Sequence, residues 1–307
     1  MGLTEQDIQQ IENLKNKYFN SFDMLRIVKG SSKWAKKLSD KDKELMRILI
    51  ISYGLFTGGN VPTVRNPQKF DAQMAESLTN TLHPVLVDEK SQSFMKSIGL
   101  DHTRKVELED YQNAHDLFSV VSRIEDQASM DFGTLYRGIH SVSENALGAW
   151  IQKDAVFDLG NIVSTTIDLE TAEDFTSDGT EIRVLLIINN ENNIGALASM
   201  VSKYPGEHEI ILSGKIKTTK VEGLKLKLID GKGFQTEPVN DPKIIMGSIR
   251  LAAEIKNKTD EWMKSKDKDF KIQIADGTIE GRVYLNSVRS LTTSFKYQVV
   301  KIWVDLI

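Results

Sequence analysis

The 307-residue sequence contains no cysteine, which excludes disulfides, thiolate nucleophiles and cysteine-ligated zinc or iron–sulfur sites. Histidine is scarce: the five residues are widely spaced and form no HExxH arrangement, so no bound metal is expected. An excess of one charge is also lacking. Thirty-nine Lys and Arg against 43 Asp and Glu give a net charge of -4, which argues against a general nucleic-acid binder with a basic surface, although a local basic groove stays open. No apolar run approaches the length needed to cross a bilayer; Leu49–Leu55 is among the longest. The N-terminal MGLTEQDIQQIENLKNK carries charges where a secretion signal would carry its apolar stretch, and Gly2 is a weak cue for lipidation. The expectation is a soluble protein without membrane attachment. No GxGxxG follows a strand and opens a helix, which disfavours a dinucleotide-binding dehydrogenase.

What is present divides into a helical first third and a strand-rich remainder. Thr4 is placed to cap a helix through Lys17, and Ser39 or Asp40 to cap one that turns Leu45, Met46, Leu49 and Ile50 inward. FTGGNVP breaks that pattern, and a further helix is predicted over Lys69–His83. Between Val106 and Gln127, Ala114, Leu117, Val121 and Ile124 recur at helical spacing. From Phe132 short strands take over: one in DFGTLYRGIHS, a second in NIVSTTIDL, then the doubly apolar EIRVLLIIN, whose dense Val and Ile predict a central strand. A helix around Ser143–Ile151 and a short one from Thr171 separate them. GEHEIILSGKIKTT and GLKLKLID continue the strands, Asp241–Lys266 is partly helical, and KDFKIQIADGTIEGRVYL reads as a hairpin around Asp276-Gly277. SFKYQVVKIWVDLI is expected to close the fold as a strand with two apolar faces. No repeat or flexible linker divides the chain, so an α+β architecture is preferred, with a helical region over residues 1–130 packed on or contributing to a β-rich core over residues 131–307.

Three features can carry chemistry. In KYPGEHEIIL, an extended Glu207-His208-Glu209 would put two carboxylates on one face beside a core strand, able to divide sugar binding from deprotonation of a nucleophile. Alone, the pair is far more often the pattern of a solvated strand edge. In LYRGI, Arg137 on a strand can make a forked contact with phosphate and Gly138 lets a ligand approach the backbone; alone, this is a structural arginine beside a strand-ending glycine. Ser164, opening Ser164-Thr165-Thr166, can fix a carboxylate against a ligand without being a nucleophile, where the plain alternative is a β-favouring hydroxyl run.

Taken together, LYRGI, NIVSTTIDLETAEDF, RVLLII and KYPGEHEIIL stand in the order of the R-S-E arrangement, and the chain from Leu135 to Leu212 resembles the arginine-targeting mono-ADP-ribosyltransferases, the phage Alt and ModA type among them. The resemblance implies an ADP-ribosyltransferase-like split β-sheet core that consumes NAD as co-substrate. It assigns Arg137 to the NAD diphosphate or neighbouring ribose, Gly138 to nicotinamide through its backbone, and Ser164 to support of the catalytic glutamate. Glu209 would bind the nicotinamide-ribose hydroxyl and stabilise an oxocarbenium-like state, while Glu207 would orient or deprotonate the incoming arginine. Phe175 would pack near nicotinamide, Thr165, His140 and Asn161 would border the NAD cleft, and Tyr204 would touch the target protein. Targets would be proteins with accessible arginine, host RNA polymerase or translation factors being candidates, in a host cytoplasm reached by synthesis there or in a phage virion; an injected bacterial effector or the catalytic half of a toxin with a separate delivery subunit would fit the same chain. Two departures stand out: Phe175 is followed by Thr-Ser-Asp rather than a basic residue, and residues 230–286 exceed a minimal catalytic domain. NAD hydrolysis in the same pocket, or a non-enzymatic virion or interaction protein with the same fold, are the competing expectations.

Overall fold

The computed structural model of the chain describes residues 3–18, 38–56, 61–70, 106–122, 132–159, 162–177, 182–192, 194–197, 207–229, 233–265, 271–274, 277–280 and 299–307. Asn161, Tyr204, Ile124, the Pro205-Gly206 turn and residues 71–83 of the helix expected from Lys69 lie outside them.

In chain order the helical third holds α1 (Glu5–Tyr18), α2 (Asp40–Leu55), α3 (Val61–Arg65), a 3-10 turn (Pro67–Lys69) and α4 (Leu108–Val121). Local chemistry starts each long helix. The Thr4 hydroxyl accepts from the Asp7 amide at 3.2 Å while the Asp7 carboxylate accepts from the Thr4 amide at 3.1 Å. Ser39 Oγ accepts from the Asp42 amide at 3.1 Å, and Glu107 and Asp110 form a reciprocal capping box on α4. Such caps satisfy amides that have no partner inside the helix, each contributing about 1 kcal/mol. There follow β1 (Leu135–Val142), α5 (Glu144–Trp150), β2 (Val156–Asp158), β3 (Val163–Thr166), α6 (Leu169–Ser177), β4 (Ile182–Asn189), β5 (Ala196–Leu197), β6 (Glu209–Leu212), β7 (Lys215–Ile229), β8 (Gly233–Val239), α7 (Pro242–Ser265), β9 (Lys271–Ile274), β10 (Gly277–Glu280) and β11 (Val299–Leu306). The composition is α+β. Ser143 caps α5 through the Ala146 amide at 3.2 Å. Helix α6 begins two residues before Thr171, and the two strands expected after Gly206 are β6 and an unbroken 15-residue β7.

The chain forms two compact units, and they do not follow a single cut near residue 130: the first takes Met1–Gly133 with Asp158–Asp168 and Asn190–Lys215, the second Thr134–Phe157, Leu169–Asn189 and Ile216–Ile307. The reason is burial. The apolar stripes of α1 (Ile8, Ile11, Leu14), α2 (Leu45, Met46, Leu49) and α4 (Ala114, Leu117, Val121) share one core with Ile162 and with Ile211 of β6. Phe118 anchors that core, with its ring centroid 5.0 Å from Tyr53 in an edge-on arrangement and 4.8 Å from Phe56. Full burial of each such side chain is worth roughly 1.5–3 kcal/mol, so Ile162 and Ile211 tie their segments to the helical core. Within this unit β6 lies between β3 and β5, antiparallel to both.

The second unit is built on strands in the order β2-β7-β11-β4-β1, with β8 also pairing β7. The β1–β4, β11–β7 and β7–β8 pairs are antiparallel, whereas β11 runs parallel to β4. As its composition predicted, β4 is interior, with Val184, Leu185, Leu186 and Ile188 fully buried. The two apolar faces expected of β11 are corrected: Val300, Ile302 and Val304 are buried, while the alternate Lys301, Trp303 and Asp305 are half-buried on the other side. Lys220 on β7 covers that side of Trp303, its Nζ 4.2 Å from a ring centroid. Helix α7 packs on β7, where a methyl group on Gly223 would lie 2.9 Å from Ile245 Cγ1, and Ser248 Oγ accepts from the Leu226 amide at 3.0 Å. The hairpin expected around residues 276–277 is β9 and β10, which pair Gly277 with Ile274.

Candidate functional site

In the first unit the antiparallel register sets Ser164 opposite Ile211, Thr165 opposite Ile210 and Thr166 opposite Glu209. Period-two alternation therefore places Ser164, Thr166 and Glu209 on one face, with Ser164 diagonal to Glu209. Ser164 Oγ donates to Glu209 Oε1 at 2.5 Å. The distance is that of a strong hydrogen bond to a carboxylate, and Glu209 needs it, because β6 is buried throughout and the glutamate is 5 % exposed. A carboxylate so placed can stabilise positive charge developing on a bound substrate, having been desolvated and oriented in advance.

Glu207 stands differently. An extended run would have put both glutamates on one face, but the strand begins only at Glu209, and His208 between them adopts a left-handed backbone with φ 45°. That conformation breaks the alternation, so the expected same-face strand pair is corrected to a strand carboxylate and a turn carboxylate. The turn is tied to β3: Thr166 Oγ1 donates to the Glu207 carbonyl at 2.7 Å. Glu207 is half-buried, and that burial pushes its carboxyl above the ordinary value, the direction that suits a proton acceptor working near neutrality. Thr165, expected at the cleft border, lies on the opposite face and donates Oγ1 to the Ile210 carbonyl at 2.7 Å.

In the second unit Arg137 and Gly138 are consecutive on β1, opposite Leu186 and Leu185 of β4, and so point to opposite faces. Arg137 is half-buried. Gly138 lies beneath α6: a methyl group there would sit 2.0 Å from the Ala172 carbonyl oxygen and 3.0 Å from Phe175 Cβ. Phe175, one of the expected nicotinamide contacts, is thus beside Gly138 and is 50 % exposed, which is unusual for a phenylalanine that only packs. His140 is exposed at the end of β1, where Ser141 takes φ 57° and the register to β4 shifts between Ile139 and Val142. Arg183 is buried and donates Nη1 to the Thr176 carbonyl at 3.2 Å near the C-terminal end of α6, where the helix dipole favours a cation.

Sequence reasoning missed two residues. Thr166 was legible, since alternation puts it on Ser164's face. Arg65 was not: it sits at the end of α3 outside any motif, donates Nε to the Ile162 carbonyl at the entrance to β3, and has a buried Nη2 with no hydrogen-bond partner among the described residues. Burial lowers its pKa. Among the described residues no group of three or more His, Asp and Glu is placed to hold a metal ion, and no helix is long and apolar enough to cross a membrane.

No family model matches the chain, and no curated protein sequence matches it. Similar solved structures include the catalytic domain of VsdC from Aeromonas hydrophila, at 10% identity over 83% of this chain and 97% of that one, TM-score 0.32. HopU1, an ADP-ribosyltransferase of Pseudomonas syringae pv. Tomato, is 12% identical over 78% of this chain and 98% of its own, TM-score 0.33. Exoenzyme S from Pseudomonas aeruginosa, solved with human 14-3-3 protein beta and bound to carba-NAD, is 12% identical over 76% and 88%, TM-score 0.30.

Proposed function

We propose that the chain transfers ADP-ribose from NAD to arginine side chains of target proteins, releasing nicotinamide. The observation that carries this reading is the 2.5 Å bond from Ser164 to the buried Glu209, with a second carboxylate, Glu207, two residues away and outside the strand. Ser164 fixes one oxygen of Glu209 and so orients the carboxylate that would meet the ribose of NAD and stabilise the positive charge that builds as the bond from C1′ to nicotinamide breaks. The bonding pair goes to the nicotinamide nitrogen, neutralising its cation. A guanidine nitrogen of the acceptor then bonds to C1′ and its proton passes to Glu207. Arginine is protonated at any physiological pH, so a base is required before it can attack.

In the second unit Arg137 supplies the planar fork suited to a diphosphate. Phe175 offers an exposed ring for nicotinamide next to Gly138. His140 and Asn161 remain assigned to the NAD cleft, and Tyr204 to the target, on the resemblance alone, whereas Thr165, on the opposite face of β3, is left with a structural role. The protein targets, host RNA polymerase or translation factors among them, and delivery by a phage follow from the same resemblance.

The test is transfer of labelled ADP-ribose from NAD to proteins of a bacterial lysate, with nicotinamide release followed in parallel. The parent should label protein, Glu209→Gln should lose both signals, and Glu207→Gln should lose labelling while still releasing nicotinamide. Release without labelling in the parent would move the reading to NAD hydrolysis. Neither signal from folded protein would leave a binding or structural role.

A further inference from the structure

We propose that Thr166, acting through the left-handed backbone of His208, is the positioning residue for Glu207, and that it makes cleaved NAD go to a guanidine acceptor rather than to water. The inference rests on the transferase reading and concerns how its two glutamates are kept apart.

Thr166 is 5 % exposed, so its hydroxyl cannot rely on water for hydrogen bonds. Its two hydrogen bonds both go to backbone: the single proton is given to the Glu207 carbonyl at 2.7 Å, and the oxygen accepts from the Asp168 amide at 3.0 Å. One hydroxyl thereby ties the turn that leaves β3 to the turn that enters β6. The held carbonyl belongs to the peptide bond immediately before His208, the residue at φ 45°. A left-handed non-glycine residue costs roughly 1–2 kcal/mol and persists only where its surroundings fix it. His208 is itself exposed, so the constraint comes from its neighbours in the chain. On one side Glu209 is locked into the β3–β6 ladder; on the other, Thr166 holds Glu207.

Two hydroxyls on one face of β3 thus hold two glutamates by different means. Ser164 grips the Glu209 carboxylate, whereas Thr166 grips the Glu207 backbone and leaves its carboxylate uncommitted by that bond. Removing the Thr166 hydroxyl does not remove the Ser164–Glu209 bond. Nicotinamide departure, which depends on Glu209, therefore continues. Guanidine attack suffers, because a base displaced by about 1 Å can lose on the order of 100-fold in rate, while water reaching an oxocarbenium-like centre needs much less help.

The experiment measures nicotinamide release and ADP-ribosylation of agmatine, a small guanidine compound, in the same reaction for the parent, Thr166→Val, Thr166→Ser, His208→Val and His208→Gly. Expected is a fall of about tenfold or more in the transfer-to-release ratio for Thr166→Val, with Thr166→Ser restoring it. Should the valine variant fail to fold, His208→Val gives the second test: it lies on the surface, and a β-branched side chain resists positive φ, so it should lower the same ratio while His208→Gly keeps it. A parental ratio in Thr166→Val or, if that does not fold, in His208→Val overturns the inference and leaves the transferase reading standing. Equal loss of release and transfer marks a merely structural role and also overturns it. A folded parent that does neither overturns the transferase reading, and this inference with it.

Discussion

The carbonyl oxygen of Ala172 occupies the space that a methyl group on Gly138 would need, at 2.0 Å from it. Helix α6 can lie this close to β1 only over a residue without a Cβ. Gly138→Ala should therefore force α6 outward and destabilise the protein by about 1–3 kcal/mol, the usual range for overpacking. Thermal unfolding would register this as a drop of several degrees. An unchanged midpoint would mean that α6 yields without cost and that the glycine serves some other purpose.

Ser164→Ala removes the hydrogen bond to Glu209 and leaves a buried carboxylate oxygen without that partner. A bond to a charged group is worth about 1.5–3 kcal/mol, and if that support is felt in the transition state nicotinamide release should fall about 10- to 100-fold. Cysteine at this position, a poorer donor, should recover little, and steady-state kinetics with NAD would test both. Wild-type rates in Ser164→Ala would detach Ser164 from the chemistry.

Burial raises the Glu207 carboxyl above its ordinary 4.5. As a base it must be ionised, so the acid limb of guanidine transfer should lie above pH 4.5 and be absent from nicotinamide release. The sign for stability is opposite to that of a salt-bridged acid. A raised pKa in the fold favours the protonated native state, so its contribution is fully present below 4.5 and is lost as pH rises through the folded value. Glu207→Gln should accordingly gain on the parent in thermal midpoint as pH rises from about 4 to about 7. A constant difference across that range would show that burial does not govern this carboxyl.

Much of this arrangement could be read in the sequence, and the failures have physical causes. Thr4, Ser39 and Ser143 announced their helices because capping depends on the residue and the next turn alone. The interior place of β4 followed from its Val and Ile content. Among the site residues, Ser164 and Glu209, which only the resemblance had paired, are joined by a hydrogen bond between two regular strands. Glu207 was misplaced, since a left-handed histidine leaves no mark in the residue pattern. The interleaving of the two compact units was not legible for another reason: Ile162 and Ile211 complete a core whose other members are mostly more than 40 residues earlier, and no local signal reports such a partnership. Arg65 belongs to the same class, its partner being a backbone carbonyl 97 residues away.

Phe175 separates function from packing. It is 50 % exposed, so Phe175→Ala should change stability by no more than about 0.5 kcal/mol. If its ring receives nicotinamide, KM for NAD should rise several-fold with little change in thermal midpoint, and Phe175→Tyr should stay near the parent. A stability loss with KM unmoved would make it a packing residue.

Strand β11 lies between β4 and β7, parallel to the first and antiparallel to the second, although both precede it by many residues in the chain. A ribosome therefore delivers both flanking strands long before the one that joins them. Until residues 299–306 emerge, β4 and β7 each present an open edge, and the hydrophobic side chains destined for Val300, Ile302 and Val304 have no cover. The second unit is thus completed after synthesis of its last strand rather than during synthesis of its first, and the nascent chain passes through an interval in which chaperone capture or edge-to-edge aggregation competes with folding.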